Sequence, residues 1–171
     1  ESPVITGYYA DLTQVDETAG LTADSGDENV KVTYKQMGQW VPSFPADTTN
    51  VPSDPMTYPN NPDDPTEPLT PGPENETDPG DPDNPRLPYV PGFTPQGPDG
   101  EPLDPVDPSN PSSGYWPPTL PSDPTTDTTI EYKADEQEAT ITYIDEVTGD
   151  TLVVDTITGG SDESSTYTTA D

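Results

Sequence analysis

The stretch from residue 57 to residue 73, "TYPNNPDDPTEPLTPGP", places a proline at every third position: Pro59, Pro62, Pro65, Pro68 and Pro71. Polyproline II has three residues per turn, so a run of this kind stacks its rings along one edge of the helix and leaves the acids on the other two. The same spacing returns at Pro79, Pro82, Pro85, Pro88 and Pro91, again from Pro102 to Pro111, and again from Pro118 to Pro124. Of the 26 prolines, all but Pro3 lie between Pro42 and Pro124, and this sets three zones: 1–41, 42–124 and 125–171. Asp-Pro pairs recur through the middle zone; proline disfavours the α conformation in the residue before it, and like charges push neighbouring carboxylates apart. An extended, stiffened spacer is predicted, its span lying between on the order of 250 Å for a full polyproline II helix at ~3.1 Å per residue and about 50 Å for a flexible coil of this length, with breaks near "TPGPE" and "PQGPDGE".

Composition points the same way. Only 26% of the 171 residues are hydrophobic, which argues against a large core. Four Lys and Arg face 34 Asp and Glu, for a formal charge of -30. A molecule so acidic repels nucleic acid and anionic lipid headgroups. There is no cysteine, so disulfide scaffolds and thiolate metal sites are excluded. The first residues carry neither a basic start nor an apolar run of signal-peptide length, and nowhere do about 18 apolar residues follow one another.

The flanks read as β. They are rich in Thr, Val, Ile and Tyr, which suit a pleated, half-buried surface. "NVKVTYK" alternates, with Val30, Val32 and Tyr34 on one face and Lys31, Thr33 and Lys35 on the other. "PVITGYYA" offers a shorter strand interrupted at Gly7. In the last zone "ATITYIDEVTGDTLVVDTITGG" reads as a strand, a turn with Gly149 supplying a positive φ, and a returning strand. A lone hairpin is marginal in water, so further strands are expected to pair with it beyond Asp171.

No residue set supports catalysis. Histidine is absent, which removes histidine-activated nucleophiles and histidine metal sites. Carboxylates abound, but an acid and a base need a cleft that moves their pKa values apart, and an open proline-rich strand offers none. The chain is therefore not read as an enzyme, and no cofactor is assigned. Asp78, Asp81, Asp83 and Asn84 in "DPGDPDNP" could offer oxygen ligands to calcium but lack the spacing of a calcium loop. "PRLPYVPG" holds the zone's one base, Arg86, and could recruit a proline-recognition domain. The "NET" at Asn75 fits a glycosylation acceptor but arises readily by chance. If a glycan contact exists, Tyr8, Tyr9, Trp40, Tyr115 and Trp116 are its candidates, because aromatic rings stack on sugar faces.

The flanks also carry a family resemblance. "SPVITGYYADLTQVD" followed by "NVKVTYK" resembles the closing strands of one module of the mucus-binding repeat of cell-wall-anchored adhesins of Gram-positive gut bacteria. "ATITYIDEVTGDTLVVDTITGGSDESSTYTTAD" resembles the opening of another module, and the zone between resembles the proline-rich connector of such proteins. The resemblance implies partial β-grasp-like modules at both ends, an extracellular cell-wall location, and a parent protein that adheres to host mucin glycoproteins. "LPYVPG" at Leu87 is not the family's sorting motif. The resulting expectation is a mostly irregular, polyproline II chain with β flanks and no complete domain: a piece of an adhesin whose acidic middle holds binding modules apart.

Overall fold

The computed structural model describes residues 1–15, 29–46, 48–75, 84–161, 164, 167 and 168. Among the described residues the structure is β, with eight strands in three sheets. β1 (Tyr8–Ala10) pairs antiparallel with β2 (Tyr34–Gln36), with Tyr9 opposite Lys35. The four central strands are β3 (Gln39–Ser43), β4 (Met56–Thr57), β5 (Phe93–Gln96) and β6 (Thr128–Ala134), in the order β4-β3-β6-β5. β7 (Glu136–Ile144) and β8 (Thr151–Gly160) form the hairpin.

The hairpin has the geometry its alternation predicts. Gly149 sits at φ 77° in the turn, a left-handed backbone conformation that glycine adopts readily and residues with a side chain rarely do. The turn closes with the Asp145 N–H donating to the Asp150 carbonyl and the Gly149 N–H to the Asp145 carbonyl, both at 2.8 Å. At the first flank the pattern is only half realised. Gly7 does interrupt the strand, at φ 78°, but of "NVKVTYK" only Tyr34 and Lys35 enter β2, and Val30 is exposed rather than turned to a core.

The middle zone differs from an extended spacer. β3 runs parallel to β6, with Trp40 opposite Thr128, Val41 opposite Thr129, Pro42 opposite Ile130 and Ser43 opposite Glu131. The two ends of the proline-rich stretch therefore lie side by side. Around this ladder is one core: Met37, Trp40, Tyr58, Leu87, Val90, Phe93, Tyr115, Ile130 and Tyr132 are all buried. Trp40, Tyr58, Leu87, Ile130, Tyr132 and Pro95 are the largest fully enclosed side chains. Burying several aromatic and aliphatic side chains at about 1.5–3 kcal/mol each provides the folding drive that an open polyproline chain lacks. The rings are ordered as aromatic pairs prefer: Trp40 meets Tyr58 edge-on at 4.8 Å, and Phe44 stacks on Tyr132 at 4.5 Å.

Two properties of proline explain how this zone folds. Proline loses its donor but keeps its carbonyl as an acceptor. The Pro65 carbonyl accepts from Ala10 N–H, Pro124 from Gly38, Pro59 from Leu69, and Pro88 from the Tyr132 hydroxyl. Within the sheet, proline is tolerated where its missing N–H faces an open edge. Pro95 lies in edge strand β5 and turns its carbonyl outward to accept from Leu103 N–H at 2.9 Å; its nitrogen, on the same side of the strand, costs no ladder bond. The Asp-Pro-Thr and Asp-Pro-Ser segments make turns. The Asp64, Asp107 and Asp123 carboxylates each accept the backbone N–H two residues on, from Thr66, Ser109 and Thr125 at 2.8, 2.8 and 3.0 Å. These are Asx turns, which reverse the chain where charge repulsion alone would extend it.

Candidate functional site

Both flanks are fastened to the central sheet at short junctions. On the first side β2 passes to β3 through Met37 and Gly38. Met37 N–H donates to the Gly7 carbonyl at 2.9 Å, Gly38 N–H to Pro124 at 2.8 Å, and Tyr58 N–H to the Gly38 carbonyl at 3.1 Å. A Cβ at Gly38 would stand 2.5 Å from the Thr126 carbonyl oxygen, so close approach of two backbones requires glycine here. Asn60 adds a clasp from the proline-rich zone. Its carbonyl accepts from Gly7 N–H at 2.8 Å, and its amide donates to the carbonyls of Ile5 and Tyr8 at 3.1 and 2.7 Å.

On the second side a single residue, Asp135, separates β6 from β7. All its polar groups are engaged: its N–H donates to Gly92 at 2.8 Å, its carbonyl accepts from Ser161 N–H at 3.0 Å, and its carboxylate accepts from the Thr94 hydroxyl at 2.6 Å. At the sheet's N-terminal end, Gln39 N–H donates to the Asp127 carboxylate at 3.1 Å. The Tyr58 hydroxyl donates to the Thr126 carbonyl at 2.8 Å, which leaves its lone pairs to accept from the Thr128 hydroxyl at 2.7 Å. Burial raises the Tyr58 pKa above its ordinary value of 10.0, the neighbouring Asp127 charge adding to the effect, while the Thr128 hydroxyl pulls the other way. Tyr132, more deeply enclosed, is raised further, chiefly by burial.

The aromatic candidates separate into two groups. Trp40 and Tyr115 are buried in the core, 0% and 7% exposed, and cannot offer a ring face to a sugar, so as contact candidates they are corrected to packing residues. Their position among prolines carries no sign of this, because displayed and buried rings look alike in sequence. Tyr8 is exposed, and Tyr9 and Trp116 are half-buried. Tyr8 and Tyr9 are adjacent in β1 and point to opposite faces, so they form no common platform. Each half-buried ring carries a cation, Lys35 at 6.0 Å from the Tyr9 centroid and Arg86 at 5.6 Å from Trp116, within cation–π range.

Phe44, which the sequence reading did not single out, lines a cleft of about 490 Å³ with Ser43, Pro45, Glu131, Tyr132, Lys133, Glu136 and Gly160, beside the second junction. The alternating apolar positions of "WVPSF" are the signal that could have found it. Of the calcium candidates, Asp78, Asp81 and Asp83 lie outside the described residues, and the Asn84 amide is committed to both backbone groups of Gly72. In "PRLPYVPG", Leu87 and Val90 are buried, so while the sheet is intact that segment is not free to lie in a partner's groove.

Comparison with known families matches residues 1–38 to the Muc B2-like domain and residues 137–171 to the mucin binding domain. The central sheet begins at Gln39 and ends at Ala134, between the two matched segments. No match was found among curated proteins or solved structures. The matched families are binding domains without catalysis and typically occur on bacterial surface proteins. Among the described residues no helix is long and apolar enough to cross a membrane. Matched at one end by a Muc B2-like domain and at the other by a mucin binding domain, the chain is similar at both ends to mucus-binding repeat proteins.

Proposed function

We propose that residues 39–134 are a folded, acidic, proline-rich joint that sets one mucus-binding module in line with the next on a Gram-positive surface adhesin whose modules contact host mucin. The observation that carries this is the parallel pairing of β3 with β6. Because the strands run the same way, the chain enters the sheet at one end and leaves it at the other, and the flanking segments sit at opposite poles. Their separation is set by strand length, about 20–25 Å for the seven residues of β6, and not by the contour of the segment between. The spacer role expected of this zone is retained, with a stiff short joint in place of a long strut.

The hairpin supports a flank that is part of a larger, grasp-like sheet, since Ile144, Leu152, Val153 and Val154 are exposed on it. Glycan contact falls to Tyr8, Tyr9 and Trp116, the candidates with exposed ring surface. Direct mucin binding by the joint itself is disfavoured by its charge, because many mucin glycans are themselves anionic. The reading is tested by spin labels at Thr33 on the first flank and Thr148 in the hairpin turn, both exposed. A single narrow distance is expected. A spread comparable to the ~50 Å root-mean-square reach of a flexible tether of this length would refute the joint.

A further inference from the structure

The direction of β3 and β6 has a mechanical consequence. Tension arriving through the first flank draws β3 toward Gln39, and tension arriving through the second draws β6 toward Ala134. In a parallel pair these pulls slide the strands past one another along their lengths, so the ladder bonds between residues 40–43 and 128–131 are loaded together. Pulled from one shared end, the same strands would separate one bond at a time. A bond is worth only about 1 kcal/mol net, so loading several at once is what makes a short ladder hold.

Neighbouring bonds brace this shear plane. Backbone direction alternates along β3: the Gly38 carbonyl faces β4, where it accepts from Tyr58 N–H, and Gln39 N–H faces the other way, toward Asp127. By that alternation Val41 also turns its backbone groups toward β6, while Pro42, which has no N–H to give, faces the β4 side past the end of that short strand. Proline thus sits in β3 where it removes no bond from the loaded ladder. The bonds from Gly38 to Pro124 and from Gln39 to Asp127 close the same end of the sheet. Everything between Ser43 and Thr128 is shielded from tension while the ladder stands.

We propose, resting on the connector reading, that the β3–β6 ladder is a force-bearing clamp in an adhesin under tension, and that the folded proline-rich stretch behind it is stored length. On rupture the chain from Gln39 to Ala134 would extend by on the order of 300 Å, at up to ~3.6 Å per residue. Forced unfolding is governed by the unfolding rate along the pulled direction, so the clamp's strength depends on geometry and not on equilibrium stability alone.

The test is single-molecule pulling on the 171-residue chain in two geometries. Held through its two ends, the chain is expected to show one rupture event followed by an extension on the order of 300 Å. The second geometry attaches handles to Ser43→Cys and Glu131→Cys, exposed register partners in a chain with no native cysteine. It peels the ladder from one end, and the rupture force is expected to fall by about two-fold or more, because the bonds then fail singly. Equal forces in the two geometries, with a narrow Thr33–Thr148 distance, would remove the clamp and leave the joint standing. Smooth extension with no rupture event, together with a broad distance distribution, would remove both.

Discussion

Gln39 and Asp127 are joined by a 3.1 Å hydrogen bond from backbone N–H to carboxylate across 88 residues of chain, and this bond closes the end of the sheet at which β3 begins and the returning chain enters β6. The enclosed rings beside it decide whether the stretch folds. Trp40 has an indole N–H with no hydrogen-bond partner among the described residues. Trp40→Ala should cost about 3–5 kcal/mol through the cavity it leaves. Trp40→Phe should cost clearly less, since it keeps most of the ring volume and removes an unpaired donor. Chemical denaturation of the two variants measures the difference, and equal losses would show that Trp40 does not pack as described.

The junctions should be separable from the core. Asp135→Ala removes the Thr94 bond to the carboxylate and should loosen the hairpin's seat by about 1–3 kcal/mol. Hydrogen exchange should quicken at Asp135 and Ser161 while amides of β3 and β6 stay protected. Gly38→Ala, by contrast, forces a Cβ against the Thr126 carbonyl. It should destabilise the whole sheet by about 1–3 kcal/mol, the usual cost of overpacking.

The Asx turns predict a dependence on acid. Hydrogen bonds from the Thr125 N–H and hydroxyl hold the Asp123 pKa below its ordinary 3.8, and the Thr66 hydroxyl and N–H do the same for Asp64. A carboxylate with a lowered folded pKa stabilises the fold above 3.8, and that contribution is lost as pH falls through the folded value. Asp123→Ala should therefore be destabilising at neutral pH, with the gap to the parent chain closing in acid. A gap that stays constant from neutral pH into strong acid would contradict the turn.

At the alkaline end the sign reverses. Tyr58 and Tyr132 have folded pKa values raised above 10.0, mainly by burial, so the unfolded chain ionises first. Their contribution is intact below pH 10 and is lost as pH rises beyond it. Tyrosinate absorbance should therefore appear in two stages, the exposed tyrosines first and the buried ones together with loss of the sheet. A single titration at the ordinary value would mean these rings are open to water.

The hairpin was legible in the sequence because its signals are local. Residues 139–144 alternate, and Gly149 marks the turn. The family affinity of the flanks was legible for the same reason. The central sheet was not, because β3 finds β6 across most of the chain and nothing local in either strand names its partner. Counting prolines in phase placed their rings on one edge of a helix and overlooked the carbonyls they keep as acceptors, those of Pro59, Pro65, Pro88 and Pro124 among them. A spacing of three was present in the buried set too, at Leu87, Val90 and Phe93, but it ran along the apolar edge and not the proline one. Trp40 and Tyr115 were misplaced as contact residues for want of that core.

The central claim is that the chain on the two sides of the proline-rich stretch meets in one parallel ladder, and nitroxide labels on Ser43→Cys and Glu131→Cys measure it directly. Neighbouring strands stand about 4.8 Å apart, so the paired labels should show strong dipolar broadening that vanishes in denaturant. Spectra of the folded chain that equal the sum of the two singly labelled spectra would contradict the account.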